Sequence, residues 1–260
     1  MTDLHEIHTY SFQSFPEKGV RQAFYMRHGG VSPEPWASLN HGGSLGDERN
    51  NVIENRRRIF EVFGRPVESI FDVWQVHSAD VVCTDAPRPL DKPHQKADAI
   101  LTNNPEITLM MRFADCVPIM FFDLVRKVVG VAHAGWQGTI KKIGAEVVKI
   151  MEASYGSNAG DILAGIGPSI GPDHYEVGED VWKKAKAQFP DRWDEILQRR
   201  NNKVYLDLWT ANRITLEQVG IKHVEVAQIC TACNTQDWYS HRGDHGITGR
   251  FGALIGLNQE

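Results

Sequence analysis

The chain has 260 residues, 42% hydrophobic and 23% charged, with a formal net charge of -5, a mean hydropathy of -0.35 and a pI near 6.1. That balance supports a folded core and gives no basic footprint for duplex nucleic acid. No apolar run approaches the roughly 18 residues of a membrane span. The opening Met-Thr-Asp-Leu-His-Glu lacks the basic and apolar regions of a signal peptide, which predicts a cytoplasmic protein.

No repeat, low-complexity tract or charged linker divides residues 1–260, so we read one domain. In chain order, residues 21–26 carry the period of a strand. Met-Arg-His-Gly-Gly-Val-Ser follows; Gly29 and Gly30 allow close backbone approach to a ligand, and Arg27 suits an anion, although a plain glycine turn fits equally. Asn40 and Asp47 lie in polar loops, as substrate contacts or turn caps. Val52 to Phe63 predicts a helix ended by Gly64. Residues 72–82, which hold Gln75 and His77, and 107–112 read as strands.

The apolar runs Val117–Phe122 and Val128–Ala132 flank a polar turn, which predicts a hairpin with residue 118 opposite residue 133. Cys116 then sits diagonally beside His133, within side-chain reach. Gly135–Gly138 reads as a turn, and Thr139–Tyr155 as an amphipathic helix. Ile162–Ile166 is a buried strand. Gly165–Gly171 suits a pocket wall or a tight turn, and Glu176 a catalytic base or a helix-entry charge. Helices are expected over Glu179–Gln188 and Trp209–Val219, and a strand over Val224–Ile229.

Cys230-Thr-Ala-Cys233 has the spacing of a metal knuckle or redox motif, with no second pair to complete it. Arg242 and Arg250 are candidates for phosphate or carboxylate binding, or belong to a solvated loop. Gly249–Leu257 predicts a closing strand. Strands and helices mix without strict alternation, which favours an α+β or mixed-sheet fold.

His77, Cys116 and His133 form the most informative constellation. Two imidazoles and a thiolate match a catalytic zinc site with an open fourth position. Asp115, expected on the strand and facing away from Cys116, suits a substrate contact or support for the ligands. The same atoms admit two other readings. Cys116 and His133 can form a thiolate–imidazolium dyad of a cysteine hydrolase or amidase. His₂Cys with a distant Met120 is a copper pattern.

The chain resembles a known family through motifs that occur in order. They are Arg-His-Gly-Gly-Val-Ser, Ser-Leu-Asn, Gly-Asp, Asn55-Arg56, Gln-Val-His, Lys-Ala-Asp-Ala at 96–99, Ala-Asp-Cys-Val-Pro, His-Ala-Gly-Trp, Gly-Pro-Ser-Ile-Gly, Tyr-Glu-Val-Gly, Leu-Asp-Leu at 206–208, Cys-Thr and Thr-Gly-Arg. The family is the multicopper polyphenol oxidase-like, laccase-domain or peptidoglycan editing factor family, and the likeness runs from about residue 20 to 255. It implies a four-layer α/β/β/α arrangement similar to a bacterial cytotoxic necrotizing factor domain, with metal at His77, Cys116 and His133.

The resemblance also implies a zinc-dependent purine nucleoside enzyme rather than a copper oxidase. Its members phosphorolyse adenosine, inosine, guanosine and methylthioadenosine, and deaminate adenosine; an editing role in peptidoglycan precursors is attached to bacterial members. Purine nucleoside and phosphate are thus the expected partners, in a monomer or a dimer. Asp115 and Glu176 are the proton-shuttle candidates, and Arg27, Asn40, Gln75, Arg242 and Arg250 the substrate contacts. Two arginines usual in the family are replaced here by Gln137 and Gly243, so the anion falls to Arg27, Arg242 or Arg250.

Overall fold

The computed structural model describes residues 7–258; the opening hexapeptide considered above as a leader lies outside them. The first half runs β1 (Thr9–Tyr10), β2 (Val20–Tyr25), α1 (Arg49–Phe63), β3 (Ile70–Phe71), β4 (Val81–Cys83), β5 (Ala99–Thr102), β6 (Thr108–Phe113), β7 (Val117–Asp123) and β8 (Val129–Ala134). The second runs α2 (Trp136–Ile140), α3 (Ile143–Tyr155), β9 (Ile162–Ile166), β10 (Glu176–Val177), α4 (Glu179–Gln188), α5 (Trp193–Ile196), β11 (Leu197–Arg200), β12 (Lys203–Leu206), α6 (Leu208–Gln218), β13 (His223–Val226) and β14 (Phe251–Leu257). Among the described residues no helix is long and apolar enough to cross a membrane.

Two mixed sheets carry the fold, ordered β1-β2-β14-β6-β3 and β13-β9-β7-β8-β5-β4; a small third sheet is β10-β12-β11. Strand period two decides the layering. Val117, Ile119 and Phe121 of β7 face Ile143, Val147 and Met151 of α3 and Ile214 of α6. Met120 and Phe122 face the other way, onto Leu109 and Met111 of β6 and Phe251 and Ile255 of β14. The outer face of that second sheet, Tyr25, Met110 and Leu254, is covered by Ile59, Phe60 and Phe63 of α1. The layers are therefore α/β/β/α, an α+β fold with mixed sheets.

The hairpin pairs Pro118 with His133, the register expected from the two apolar runs. α1 ends where Gly64, at φ 73, turns its N–H back onto the carbonyls of Phe60 and Glu61, as a left-handed glycine cap does.

Three expectations needed correction. Residues 72–82 are not one strand. Trp74 donates its N–H to Gln95, Val76 and Ser78 donate theirs to the Asp98 carboxylate, and His77 sits at φ 59. Backbone donors satisfied by a side chain leave no ladder to extend. The helix expected from Thr139 is two helices, because α2 already starts at Trp136, capped by Gly135, and Lys142, at φ 56, breaks the path before α3. The last predicted inner strand stops at Val226, not Ile229.

Candidate active site

The start of β7 and the end of β8 lie side by side, Val117 opposite Ala134. Cys116 and His133 therefore emerge at one end of the ribbon. His133 is buried. Its Nδ1 lies 2.8 Å from Asp98 Oδ1, and its backbone N–H donates to the Asp98 carbonyl at 2.7 Å. The other Asp98 oxygen accepts from Ser78 N at 2.6 Å and Val76 N at 3.1 Å. One carboxylate thus orients the His133 ring and grips the chain on both sides of His77. Lys141 Nζ adds a 2.7 Å bond to the His77 carbonyl.

Cys116 Sγ is 4.0 Å from His77 Nε2, the two imidazole rings are 4.9 Å apart, and one donor atom from each of the three residues falls within 4.8 Å of the others. A Cβ on Gly135 would stand 2.7 Å from Cys116 Sγ and 3.3 Å from His77 Cδ2. Only glycine leaves room for the cluster.

Burial opposes ionisation of Cys116, yet His133 and then His77 outweigh it and bring the thiol down to about 6. Burial likewise opposes charge on His133, but the Cys116 thiolate and Asp98 lift it to about 9. Asp98 feels its own burial penalty and is still held below the usual carboxylate range by His133 and the two loop amides. By itself the pair is polarised as thiolate and imidazolium; a divalent metal would take the thiolate and the neutral, carboxylate-backed imidazole, displacing the His133 proton.

The cluster opens on a cleft of about 760 Å³. Asp115, Gln75, Arg242 and Arg250 line it, while Arg27, Asn40 and Glu176 do not. Asp115 is not on a strand: it sits at φ 80 before β7. Its oxygens accept from Thr231 Oγ1 at 2.7 Å, Ser240 Oγ at 2.6 Å and Arg242 N at 2.6 Å, joining three chain segments at the cleft floor. Gln75 bridges to both backbone polar groups of Arg112, at 2.8 and 3.0 Å. Arg242 donates to the carbonyls of His174 and Glu176 at 3.3 and 3.0 Å. Arg250 Nη1 donates to the Gly249 carbonyl at 2.8 Å.

The three residues outside the lining sit close behind it. Asn40 is fully buried and supports the loop over the cleft, its Oδ1 taking the N–H of Gly42 and of Arg250. Arg27 packs over the Tyr239 ring and donates to the Thr235 carbonyl at 2.7 Å. Glu176 makes an exposed 2.7 Å ion pair with Lys203.

Sequence reasoning assigned no site role to the opposite wall. Buried Asp72 receives Arg88 Nε at 2.7 Å, His94 Nε2 at 3.0 Å, Arg112 Nη1 at 3.3 Å and Arg56 Nη1 at 3.9 Å. Arg56, Arg112 and His94 line the cleft. Three guanidinium groups and an imidazole face one carboxylate, and Arg56 Nε is buried with no hydrogen-bond partner among the described residues. Burial, with Arg56 and Arg112, also pushes neighbouring His41 down to about 3, so it remains neutral. The Asn55-Arg56 pair was a visible motif. Arg112 and His94 carried no signal, because only the fold brings them to Asp72.

A model of the family described as multi-copper polyphenol oxidoreductase laccase matches residues 21–258. The chain is 37% identical over 251 residues to a protein of Bacillus subtilis named purine nucleoside phosphorylase YlmD, covering 93% of this chain and 90% of that one. It is 32% identical over 249 residues to purine nucleoside phosphorylase YfiH of Escherichia coli, with 92% and 95% covered. Among solved structures, YlmD of Geobacillus stearothermophilus superposes with a TM-score of 0.88 at 32% identity, covering 95% of this chain and 99% of that one. A Bacillus licheniformis protein titled hypothetical protein YfiH also gives 0.88, at 34% identity over 92% and 93% of the two chains.

Proposed function

The chain belongs to the multi-copper polyphenol oxidoreductase laccase family, and from that premise we propose that it is a cytoplasmic, zinc-dependent purine nucleoside enzyme that phosphorolyses nucleosides and deaminates adenosine. The observation that carries this reading is one cleft with two unlike walls: a His₂Cys donor set on one side and a guanidinium wall on the other. The relatives named purine nucleoside phosphorylases support it.

The donor set fits zinc. Tetrahedral zinc places sulfur and nitrogen ligands about 3.5 Å apart, near the 4.0 Å between Cys116 Sγ and His77 Nε2. Three protein ligands leave a position open, and His133 has the carboxylate backing common to zinc histidines. A copper oxidase needs more. Neither donor group among the described residues has more than two histidines, and Met120 is buried mid-strand opposite Val131, too far along β7 to serve as an axial ligand.

When bound, zinc supplies Lewis acidity at the reacting end of the cleft. The residues of the chain do the rest. Arg56, Arg112 and His94 hold phosphate on the surplus positive charge, where paired guanidinium groups bind a planar or tetrahedral oxyanion well. Trp74, half exposed, and Tyr175 offer flat apolar faces to the purine. In phosphorolysis a phosphate oxygen bonds to ribose C1′, the bond from C1′ to the purine nitrogen breaks, and the base leaves with the electron pair and takes up a proton. In deamination water adds to purine C6 and ammonia leaves. Asp115 is the carboxylate within the cleft that can pass the proton; Glu176 is turned away to Lys203.

A second reading rests on the Cys116 thiol near 6 beside His133: a thiolate hydrolase. Product analysis with adenosine separates the two. Adenine formed only with phosphate, inosine formed without it, and loss of both on chelation support the zinc nucleoside enzyme. No product under either condition overturns it. Activity that survives chelator and falls to a thiol alkylator supports the hydrolase.

A further inference from the structure

The Cys230–Cys233 pair is not spent in the cleft. We propose that Asp173, His174, Cys230 and Cys233 form a second, structural zinc site that clamps the wall of the substrate cleft. One donor atom from each of the four lies within 4.8 Å of the others. His174 Nδ1 is 3.3 Å from Cys233 Sγ, 3.9 Å from Cys230 Sγ and 3.1 Å from Asp173 Oδ2; Cys233 Sγ is 3.7 Å from Asp173 Oδ2. With zinc–sulfur bonds near 2.3 Å and zinc–nitrogen and zinc–oxygen bonds near 2.1 Å, the edges of a tetrahedral site are about 3.4–3.8 Å. The four donors already stand close to those edges.

The surroundings have the form of a metal knuckle. Backbone bonds hold the two loops together without help from the donors: Ser169 N–H donates to the Ile229 carbonyl and Thr231 N–H to the Ser169 carbonyl, both at 3.1 Å. Cys230 and Cys233 lie on one turn, tied by Asn234 Nδ2 donating to the Cys230 carbonyl at 2.8 Å. The Gly171 N–H donates to Cys230 Sγ at 3.1 Å, a bond that stabilises a thiolate. A Cβ at Gly171 would stand 2.7 Å from Asp173 Oδ1 and 3.1 Å from Cys230 Cβ, so the closeness of the loops depends on glycine there. Four donors leave no position open, which marks the site as structural. A disulfide between the cysteines would use two of the four groups and give Asp173 and His174 no reason to converge.

The clamp bears on the cleft through short links. Thr231, next to Cys230, donates to Asp115, and Ile170 N–H donates to the Asp115 carbonyl at 3.0 Å. Arg242 grips the carbonyls of His174 and Glu176. Fixing residues 173–174 to 230–233 therefore fixes Asp115, Tyr175 and Arg242.

Zinc counting on the full chain tests this. The protein is loaded with Zn²⁺, dialysed and measured by mass spectrometry beside His77→Ala, Cys233→Ser and the double variant; Cys233 is exposed, so its serine form keeps the fold. We expect about two zinc ions per chain in the wild type, about one in each single variant and none in the double. In zinc-loaded His77→Ala, Cys233 resists alkylation until chelator is added. The proposal is overturned if Cys233→Ser holds as much zinc as the wild type, or if the intact mass is short by two hydrogens, the mark of a Cys230–Cys233 disulfide. Because His77→Ala isolates this site, its failure and that of the cleft metal are read separately.

Discussion

Each wall of the cleft is organised by one buried carboxylate, and the two work in opposite ways. Asp98 is saturated by hydrogen bonds of fixed direction, from a histidine ring and two loop amides. It supplies position and gives the cleft no surplus charge. Asp72 is outnumbered by three guanidinium groups and an imidazole. It gathers cations that it cannot neutralise, and the excess faces the cleft. A carboxylate matched by directional donors fixes geometry; a carboxylate overmatched by guanidinium groups leaves surplus positive charge facing the cleft.

The comparison breaks most visibly at Asp72. Asp72→Ala leaves Arg88 buried, and Arg112 largely so, among like charges. Removing one partner of a buried pair costs about 3–5 kcal/mol, so the urea midpoint should fall steeply. A loss under about 1 kcal/mol would show that water in the cleft, and not Asp72, compensates the guanidinium groups.

The two walls also differ in how far the sequence announced them. Cys116 and His133 were placed by local pairing, since two apolar runs around one polar turn fix a register and the register fixes the neighbours. The β/β layering follows from the same period-two alternation. Asp72, Arg88, His94, Arg112 and Arg56 come from a helix, a strand and two loops; no spacing relates them, and charged residues at intervals look like surface until a fold buries them. The segment around His77 was misread as a strand for a related reason. It has strand composition, but its amides go to Asp98, a partner that lies 22 and 20 residues from Val76 and Ser78.

A pair of substitutions sharpens the contrast. Asp98→Asn removes the carboxylate behind His133 and should weaken zinc binding about 10- to 100-fold, with little change in the phosphate KM of whatever activity remains. Arg56→Met should do the reverse: zinc content stays at the wild-type level, and the phosphate KM rises by about tenfold or more, the value of one charge-assisted contact. Metal titration and phosphate-dependent kinetics on both variants check it. If either variant shifts both quantities equally, the walls are not independent.

The smallest effect comes from a third carboxylate, which supplies a partly exposed reference. Glu54 on α1 holds Arg57 at 2.8 and 2.9 Å and Arg58 at 2.9 Å. The hydrogen bonds from Arg57, then Arg58, bring its carboxyl down to about 2 against an opposing burial penalty. Its folded value is depressed, so its stabilisation is fully present above the ordinary 4.5 and is lost as pH falls from there towards 2. Water screens such pairs, and Glu54→Gln should cost only about 0.5–1 kcal/mol at neutral pH. The gap in melting temperature between wild type and Glu54→Gln should therefore be small at pH 7 and shrink below pH about 4.5. A gap as large as that of Asp72→Ala would mean that burial adds nothing to the worth of a carboxylate among arginines, and the distinction drawn between the cleft wall and the surface would fail.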